Sequence, residues 1–432
     1  MSQRIAIISG YRSPMTKAGG ALKNLHAADL GAAVLRETLV RTKIDASLID
    51  EVIIGNVGSP ADAANIARVI ALKAGLDKKI PAYSVHRNCA SGMESITTAM
   101  NKILAKKAEI IVCGGVESMS NIPLFYNKKA TDFFTNLAKS KTIFAKLAAI
   151  ASIRPSFFKP VIGIVQGLTD PVCNMLMGNT AEVLAKEFKI SRQQQDQFAL
   201  ASHFKTQRAV ENNVCAKQIV AIFDGVDKLI DADDGVRFNQ TLEALAKLRP
   251  YFERITGTVT VGNSSQITDG AAMTIVASEE KANQLKAANP DLEILGYLRD
   301  YAYAGLDPER MGLGPVYATS KLLDQTKLTI DDFDLIEINE AFAAQVLACQ
   351  SAFDSKDFAK KYLGKDQAIG KINDKILNIN GGAIALGHPV GATGTRIVID
   401  LLHQLKQVGK KRGLATLCVG GGQGAALLLE SN

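Results

Sequence analysis

Tryptophan is absent from the 432 residues, histidine occurs five times and cysteine six. The cysteines stand at positions 89, 113, 173, 215, 349 and 418, and no two form a CxxC pair. That spacing excludes a zinc ribbon and a disulfide framework and points to a reducing compartment, the cytoplasm of a bacterium or the mitochondrion of a eukaryote. No run of about 18 apolar residues occurs, so no helix is expected to span a membrane. The opening Met1 to Gly10 (MSQRIAIISG) lacks the basic start, long apolar run and small-residue cleavage site of a secretory leader. The closing Leu428 to Asn432 carries no lipidation or peroxisome-type tripeptide. Charge of one sign is also scarce. Lys plus Arg number 50 against 43 Asp plus Glu, a net +7 with no long basic block, and no nucleic-acid partner is expected. A hydrophobic content of 47% with 22% charged residues excludes disorder and collagen-like repeats.

What is present is an alternation of strand and helix patterns, the signature of an α/β protein. Arg4–Ser9 reads as a strand, Asp29–Lys43 as a helix and Ile49–Ile54 as a strand. The order returns late in the chain with a strand over Leu292–Arg299, a helix over Ala318–Thr326 and a strand over Phe333–Ile338 ending at Asn339. A second correspondence is tighter. Cys89-Ala-Ser-Gly92 precedes a helix (Met93–Lys106) and a strand (Glu109–Cys113) that runs into Gly114-Gly115. His388-Pro-Val-Gly391 precedes a helix (Gly394–Val408) and a strand (Leu414–Cys418) that runs into Gly420-Gly421-Gly422. Two copies of one α/β unit are expected. The halves are placed at 1–120 with 251–285 and at 286–432, and a loop domain is placed at 121–250. Within that insert, Thr142–Leu168 is apolar, carries Lys146, Arg154 and Lys159, and is broken by Pro155 and Pro160. It reads either as a packed helical excursion over the active site or as a surface for membrane or partner docking. Gly257–Val261 and Met273–Ala277 read as strands that return to the first copy.

Three residues carry chemistry. Cys89, between a strand-like run (Ala82–Val85) and a helix, is expected to feel the positive end of the helix dipole, which favours the thiolate. Taken alone it reads more readily as a buried structural thiol. His388 lies in Gly381-Gly-Ala-Ile-Ala-Leu-Gly-His388-Pro-Val-Gly-Ala-Thr-Gly394, where so many small residues argue against ordinary packing and permit close backbone approach. A histidine there could take a proton from a thiol. Cys418 ends a strand ahead of Val419-Gly-Gly-Gly-Gln-Gly424, a turn rich in backbone N–H groups. It lacks the GxGxxG and P-loop patterns, so a nucleotide-phosphate cradle is not indicated. Asn339-Glu-Ala-Phe342 falls at the corresponding strand end, facing the same crevice.

Four blocks, Asn88-Cys89-Ala-Ser-Gly92, Asn339-Glu-Ala-Phe342, Gly381 to Gly394 and Cys418 to Gly424, resemble those of the thiolases in order and composition. The resemblance runs from about Arg4 to Glu430. Leu168-Thr-Asp-Pro171 and Met177-Gly-Asn-Thr-Ala-Glu182 make the insert more similar to the thiolase subunit of the fatty-acid oxidation trifunctional complex. That subfamily carries His where this chain has Asn339.

The resemblance implies a thiolase fold, two βαβαβαββ halves in an α-β-α-β-α layered sandwich. It implies a 3-ketoacyl-CoA thiolase working through an acyl-cysteine in β-oxidation. Cys89 would be the nucleophile, His388 its base and Cys418 the acid for the leaving enolate. Cys89 and Gly420 would supply one oxyanion hole, and His388 with a water on Asn339 the other. For CoA it implies Arg237 at the adenine and phosphate end, Ser265 on the pantetheine arm, and Met177 and Phe342 lining the pocket. Leu176 stands where the family has a pocket His, and Ala244 replaces a CoA-contacting Ser. No metal and no tightly bound cofactor are expected, with CoA and acyl-CoA as substrates. A homodimer or homotetramer is implied, with a hydratase/dehydrogenase subunit of β-oxidation as an open partner and peripheral membrane contact through the loop domain. Rival readings are an acetyl-CoA acetyltransferase forming acetoacetyl-CoA, a decarboxylating ketoacyl synthase, and a silent CoA-binding or scaffolding subunit. Cys418 argues against the synthase, which needs no second acidic thiol.

His86 reads as a surface or packing residue, His26, His203 and His403 as non-ligands, and Cys113, Cys173, Cys215 and Cys349 as small apolar fillers. Glu340 reads as a structural acceptor that orients its loop.

Overall fold

The computed structural model describes residues 4–432. Met1 to Gln3, part of the opening stretch read above, lie outside the described residues. Nine strands form one sheet: β1 (Ile5–Arg12), β2 (Glu51–Gly55), β3 (Ala82–Val85), β4 (Ile110–Ser118), β5 (Thr268–Ser278), β6 (Gly296–Gly305), β7 (Leu335–Ile338), β8 (Arg412–Val419) and β9 (Gln423–Glu430). Their order is β7-β8-β9-β6-β1-β5-β4-β2-β3, with a two-residue strand, Thr16–Lys17, added beside β5. The order is a mirror about the short antiparallel junction of β1 with β6, where Ile5 faces Leu298. On each side two antiparallel pairings lead outward (β1-β5-β4 and β6-β9-β8), and a parallel one follows (β4-β2 and β8-β7). The first half ends with the parallel pair β2-β3, and the second with a single parallel bridge between Ile336 and Leu377. The expected duplication is therefore present strand for strand, with the last strand of the second half reduced to one bridge.

The helices fill three layers. α1 (Ala27–Thr42) and α2 (Ile66–Lys73) cover the outer face of the first half, packing Leu30, Val34, Leu35 and Ile70 on Val52, Ile54 and Met273. α8 (Gly314–Thr326) and α9 (Ala343–Phe353) cover the second half with Val316, Leu322, Val346 and Phe353. Between the sheet halves lie α3 (Ser91–Leu104) and α10 (Val390–Gln407), whose Met93, Ile96, Ile397, Val398 and Leu401 share one core with β1, β4, β8 and β9. α10 is buried from Gly391 to Leu402 and keeps its polar side chains paired inside, Arg396 with Asp400 at 2.8 Å and Gln404 with Glu337 at 3.0 Å. The α-β-α-β-α sandwich follows from these three cores.

Several sequence expectations change. Gly257–Val261 is extended but pairs with no strand. The N–H groups of Thr258 and Val259 donate instead to the buried Glu182 carboxylate at 2.8–3.0 Å. A carboxylate that accepts several backbone donors replaces a ladder partner. The late strand begins at Gly296 rather than Leu292.

In the insert, α4 (Lys128–Lys139), α5 (Ile143–Ala151), α6 (Met177–Glu187) and α7 (Arg192–Glu211) differ in packing. α6 and α7 bury Leu184, Ala199 and His203, and α7 opens on a Ser191–Gln194 capping box. The packed reading of Thr142–Leu168 is overturned: α5 buries none of its residues, and Phe144 and Phe158 are 81% and 71% exposed. Its apolar residues have no facing layer, because both sheet faces are already covered. Among the described residues no helix is long and apolar enough to cross a membrane.

Candidate active site

Two helix N-termini meet at the centre. A Cβ on Gly92 of α3 would stand 2.6 Å from the Thr395 backbone N of α10, and one on Gly394 would stand 2.5 Å from the Met93 backbone N. Contacts that short are not made by real Cβ atoms, so only glycine lets the two helix starts cross this closely. Thr395 Oγ1 donates to Gly92 O at 3.1 Å and fixes the crossing. Cys89 sits just before one helix start and His388 just before the other.

Asn88, ahead of the thiol, adopts a left-handed φ of 44°, a region asparagine tolerates better than most residues. Its amide Nδ2 donates to Gly420 O at 2.7 Å, tying the Cys89 turn to the Gly-rich turn after β8. The N–H groups of Gly420 and of Cys89 itself both bear on the Cys89 sulfur and pull its pKa down. Burial pulls harder, and the net direction is up. The expected dipole-stabilised thiolate is thus corrected: desolvation outweighs the dipole, and the resting group is a thiol that needs a base.

His388 is buried. Its Nδ1 lies 2.6 Å from Thr393 Oγ1, and its Nε2 is buried without a protein partner. Burial and the charge of Arg396 push its pKa down to about 3, so the ring is neutral. Cys418 is buried, electrostatically coupled to Cys89, and pushed well above the ordinary thiol value by burial. Asn339 joins the wall through its N–H to Thr416 O at 3.0 Å, two residues before Cys418. Its side-chain oxygen and nitrogen are both buried and meet no protein partner. A buried amide with neither end satisfied is costly unless it serves a ligand or water.

Two carboxylates brace the loops. Glu340 accepts from Ser202 Oγ (2.6 Å), Asn378 Nδ2 (2.9 Å) and Ile384 N (3.3 Å), which fixes the turn leading to His388 and matches its structural reading. Glu117, which the sequence did not single out, accepts from Val57, Gly58 and Gly391 N–H groups and the Asn56 amide at 2.8–3.2 Å. Burial raises its pKa to about 7 against those four donors.

The residues expected at CoA divide into two groups. Met177 and Phe342 pack in one cluster with Cys418, Ala181 and Met311, and the Phe342 ring meets Phe252 edge-on at 6.0 Å. Ser265 donates its N–H to Ala341 O at 2.9 Å, and the next residue, Gln266, accepts from His388 N at 3.2 Å. That hydrogen-bonded run joins Ser265 to the Asn339 block and to the His388 loop. Arg237 lies farther out and exposed, its backbone N–H on His203 Nδ1 at 3.2 Å. Its guanidinium makes no hydrogen bond or ion pair among the described residues and is free to meet an anion. Leu176 caps α6 beside Met177, and Ala244 lies in a short helix capped by Thr241. His86 is exposed, and His26 precedes α1. Cys113 and Cys349 are buried fillers, whereas Cys173 and Cys215 are half-buried.

The arrangement offers a thiol with two N–H groups aimed at it, an imidazole nitrogen free to accept, and a second thiol across the cleft. It can form and break an acyl thioester.

Comparison with known proteins places this geometry. Residues 5–280 match the family described as thiolase, N-terminal domain, and residues 292–431 match thiolase, C-terminal domain. The chain is 38% identical to a 3-ketoacyl-CoA thiolase of Vibrio cholerae over 99% of its length and 97% of the relative's. It is 38% identical, over the same shares, to one of Pseudoalteromonas translucida. Among solved structures it is similar to the acetyl-CoA acetyltransferase of Bacillus anthracis, with 35% identity, a TM-score of 0.86, and 100% and 99% of the two chains covered. It is also similar to human mitochondrial 3-ketoacyl-CoA thiolase in complex with CoA, with 33% identity, a TM-score of 0.85, and 100% and 98% covered.

Proposed function

The chain belongs to the thiolase family, and from that premise we propose how its residues divide the work. The activity is that of a 3-ketoacyl-CoA thiolase, an acyltransferase that cleaves a 3-oxoacyl-CoA with CoA to acetyl-CoA and a shortened acyl-CoA. Three parts share it: a first half (1–120 with 251–285) that carries the nucleophile, a second half (286–432) that carries base and acid, and a loop domain (121–250) over the CoA path.

Cys89 gives its proton to His388 Nε2 as its sulfur attacks the 3-keto carbon. Neither the thiolate nor the imidazolium forms readily alone at these buried positions, so the two form together as an ion pair. The oxygen that becomes an alkoxide is held by donors aimed at it, and N–H groups of Cys89 and Gly420 serve one oxyanion, His388 with a water on Asn339 the other. Collapse of the alkoxide breaks the C2–C3 bond and expels the acetyl-CoA enolate, which takes the Cys418 proton at C2. The Cys418 thiolate then deprotonates the incoming CoA thiol. That sulfur attacks the acyl-Cys89 thioester, and Cys89 leaves and recovers its proton from His388. The observation that carries this reading is the 2.7 Å hydrogen bond from Asn88 Nδ2 to Gly420 O, which ties the Cys89 turn to the turn after Cys418, while the helix start after His388 crosses the one after Cys89.

The acetyl-transferring reading keeps two observations in its favour, the likeness to the Bacillus anthracis enzyme and Asn339. Leu176 favours longer acyl chains. Thiolysis rates from four-carbon to long-chain 3-oxoacyl-CoA decide: activity sustained beyond eight carbons supports the degradative reading, and activity confined to four carbons supports the acetyltransferase.

For CoA, Arg237 meets the phosphates, Ser265 the pantetheine arm, and Met177 and Phe342 the acyl end. A homodimer or homotetramer in the cytoplasm, or in the mitochondrion of a eukaryote, completes the reading. The open β3 edge, half-exposed along all four residues, supports association. The exposed Ile143, Phe144, Leu147 and Phe158, in a stretch that also carries the exposed Lys139, Lys141, Lys146 and Lys159, support peripheral contact with an anionic membrane. Removing 142–168 then lowers co-sedimentation with anionic vesicles, and unaltered co-sedimentation rejects that contact.

A further inference from the structure

We propose that Thr393 is a positioning residue that sets the tautomer of His388, holding Nε2 bare toward the nucleophile. The inference rests on the reading of His388 as the base for Cys89. Thr393 is fully buried in the first turn of α10, and its Oγ1 lies 2.6 Å from His388 Nδ1. The same hydroxyl donates to Pro389 O at 3.0 Å. A hydroxyl has one proton and two lone pairs. With its proton directed to Pro389 O, the Thr393 oxygen presents only a lone pair to the ring. His388 Nδ1 must then carry hydrogen and donate it. A neutral imidazole carries one N–H, so Nε2 is left as an acceptor. Nε2 is the ring atom that is buried and meets no protein partner.

The arrangement serves both halves of the cycle without rearrangement. Before attack, Nε2 accepts the thiol proton. Afterwards Nε2–H is a donor for the developing oxyanion, while Nδ1–H remains on the same Thr393 oxygen. The main chain of the loop is pinned as well, His388 N–H being held by Gln266 O at 3.2 Å and by Thr268 Oγ1 at 3.2 Å, and the contact with Thr393 is the ring's one protein hydrogen bond among the described residues.

The tautomer is readable directly in the wild-type enzyme. With ring nitrogens labelled with ¹⁵N, five histidines give five spectra, and His388→Gln identifies the one that belongs to the site. The expected result is an imine-type nitrogen at Nε2 and a protonated Nδ1. A protonated Nε2 in the resting enzyme overturns the proposal. Thr393→Val removes the hydroxyl at nearly constant volume, and acyl transfer to Cys89 should fall about 10- to 100-fold with KM for CoA within about threefold. Thr393→Ser restores the oxygen and should stay within about fivefold of wild type. Wild-type acylation by Thr393→Val also overturns the proposal. If His388→Gln acylates Cys89 at the wild-type rate, the base reading itself fails. If it collapses while Thr393→Val is unaffected, only the positioning role is lost.

Discussion

The two halves repeat one topology, yet corresponding positions do different work, and β4 and β8 show how. Both strands pack on the central helices, and each carries a cysteine followed closely by glycines. In the first half β4 continues unbroken through Gly114 and Gly115 to Ser118, paired with β5 along nine residues. Cys113 stays inside that ladder, its sulfur on Ser95 O at 3.4 Å. In the second half β8 stops at Val419, and Gly421 and Gly422 turn with φ of 87° and 76°. The turn releases the Gly420 N–H from the ladder and brings it to Cys89. By ending earlier, the duplicated strand brings its Gly-rich turn to the Cys89 turn. The helix starts diverged in the same way: one keeps a thiol, the other an imidazole, while Gly92 and Gly394 preserve the crossing that joins them.

That comparison can be broken at its strongest point first. Cys89→Ala should reduce thiolysis by at least about 10⁴-fold and abolish acyl-enzyme, and turnover near wild type would sink the mechanism. Next in size, Cys418→Ser should lower steady-state turnover about 10²- to 10³-fold, and unchanged turnover would remove its shuttle role. Cys113→Ala, at the corresponding strand of the first half, should leave kcat within about twofold and cost on the order of 1 kcal/mol in urea unfolding. A large loss of kcat there would erase the distinction between the halves.

The smallest effect concerns pH. His203, buried in α7, has its pKa pushed down to about 4 by burial and by Arg237. A base depressed on folding contributes stability that is present above the ordinary histidine value of about 6.5 and is lost as pH falls toward 4. His203→Gln should flatten that acid limb of the unfolding curve with turnover intact, and an unchanged limb would show that the ring titrates freely.

Much of this was legible in the chain. Cys89, His388 and Cys418 stood out because each sits among small residues at a strand or helix end, a local pattern. The duplication was legible because Gly92 and Gly391 keep the same offset from the reactive residue. Other features depended on what folding brings near. Nothing in the sequence marks Glu117 or Glu182 as a brace, and only burial against backbone N–H groups makes them so. Gly257–Val261 carried a strand pattern, but its donors were claimed by Glu182. The direction of the Cys89 pKa was misread because helix position is local whereas desolvation is set by the whole cleft. Asn88 left one signal, an asparagine at a tight turn before the nucleophile, and its partner Gly420 lies 332 residues away.

The central claim, that the acyl group rides on Cys89 while Cys418 moves the proton, has a direct test. Cys418→Ser enzyme is mixed with an acyl-CoA, whose CoA leaves as a thiolate and needs no proton from Cys418, then quenched, digested and mapped by mass spectrometry. The mechanism predicts an acyl group on the peptide that holds Cys89, accumulating because CoA is no longer deprotonated. No acyl group on that peptide, or one carried by another cysteine, would contradict it.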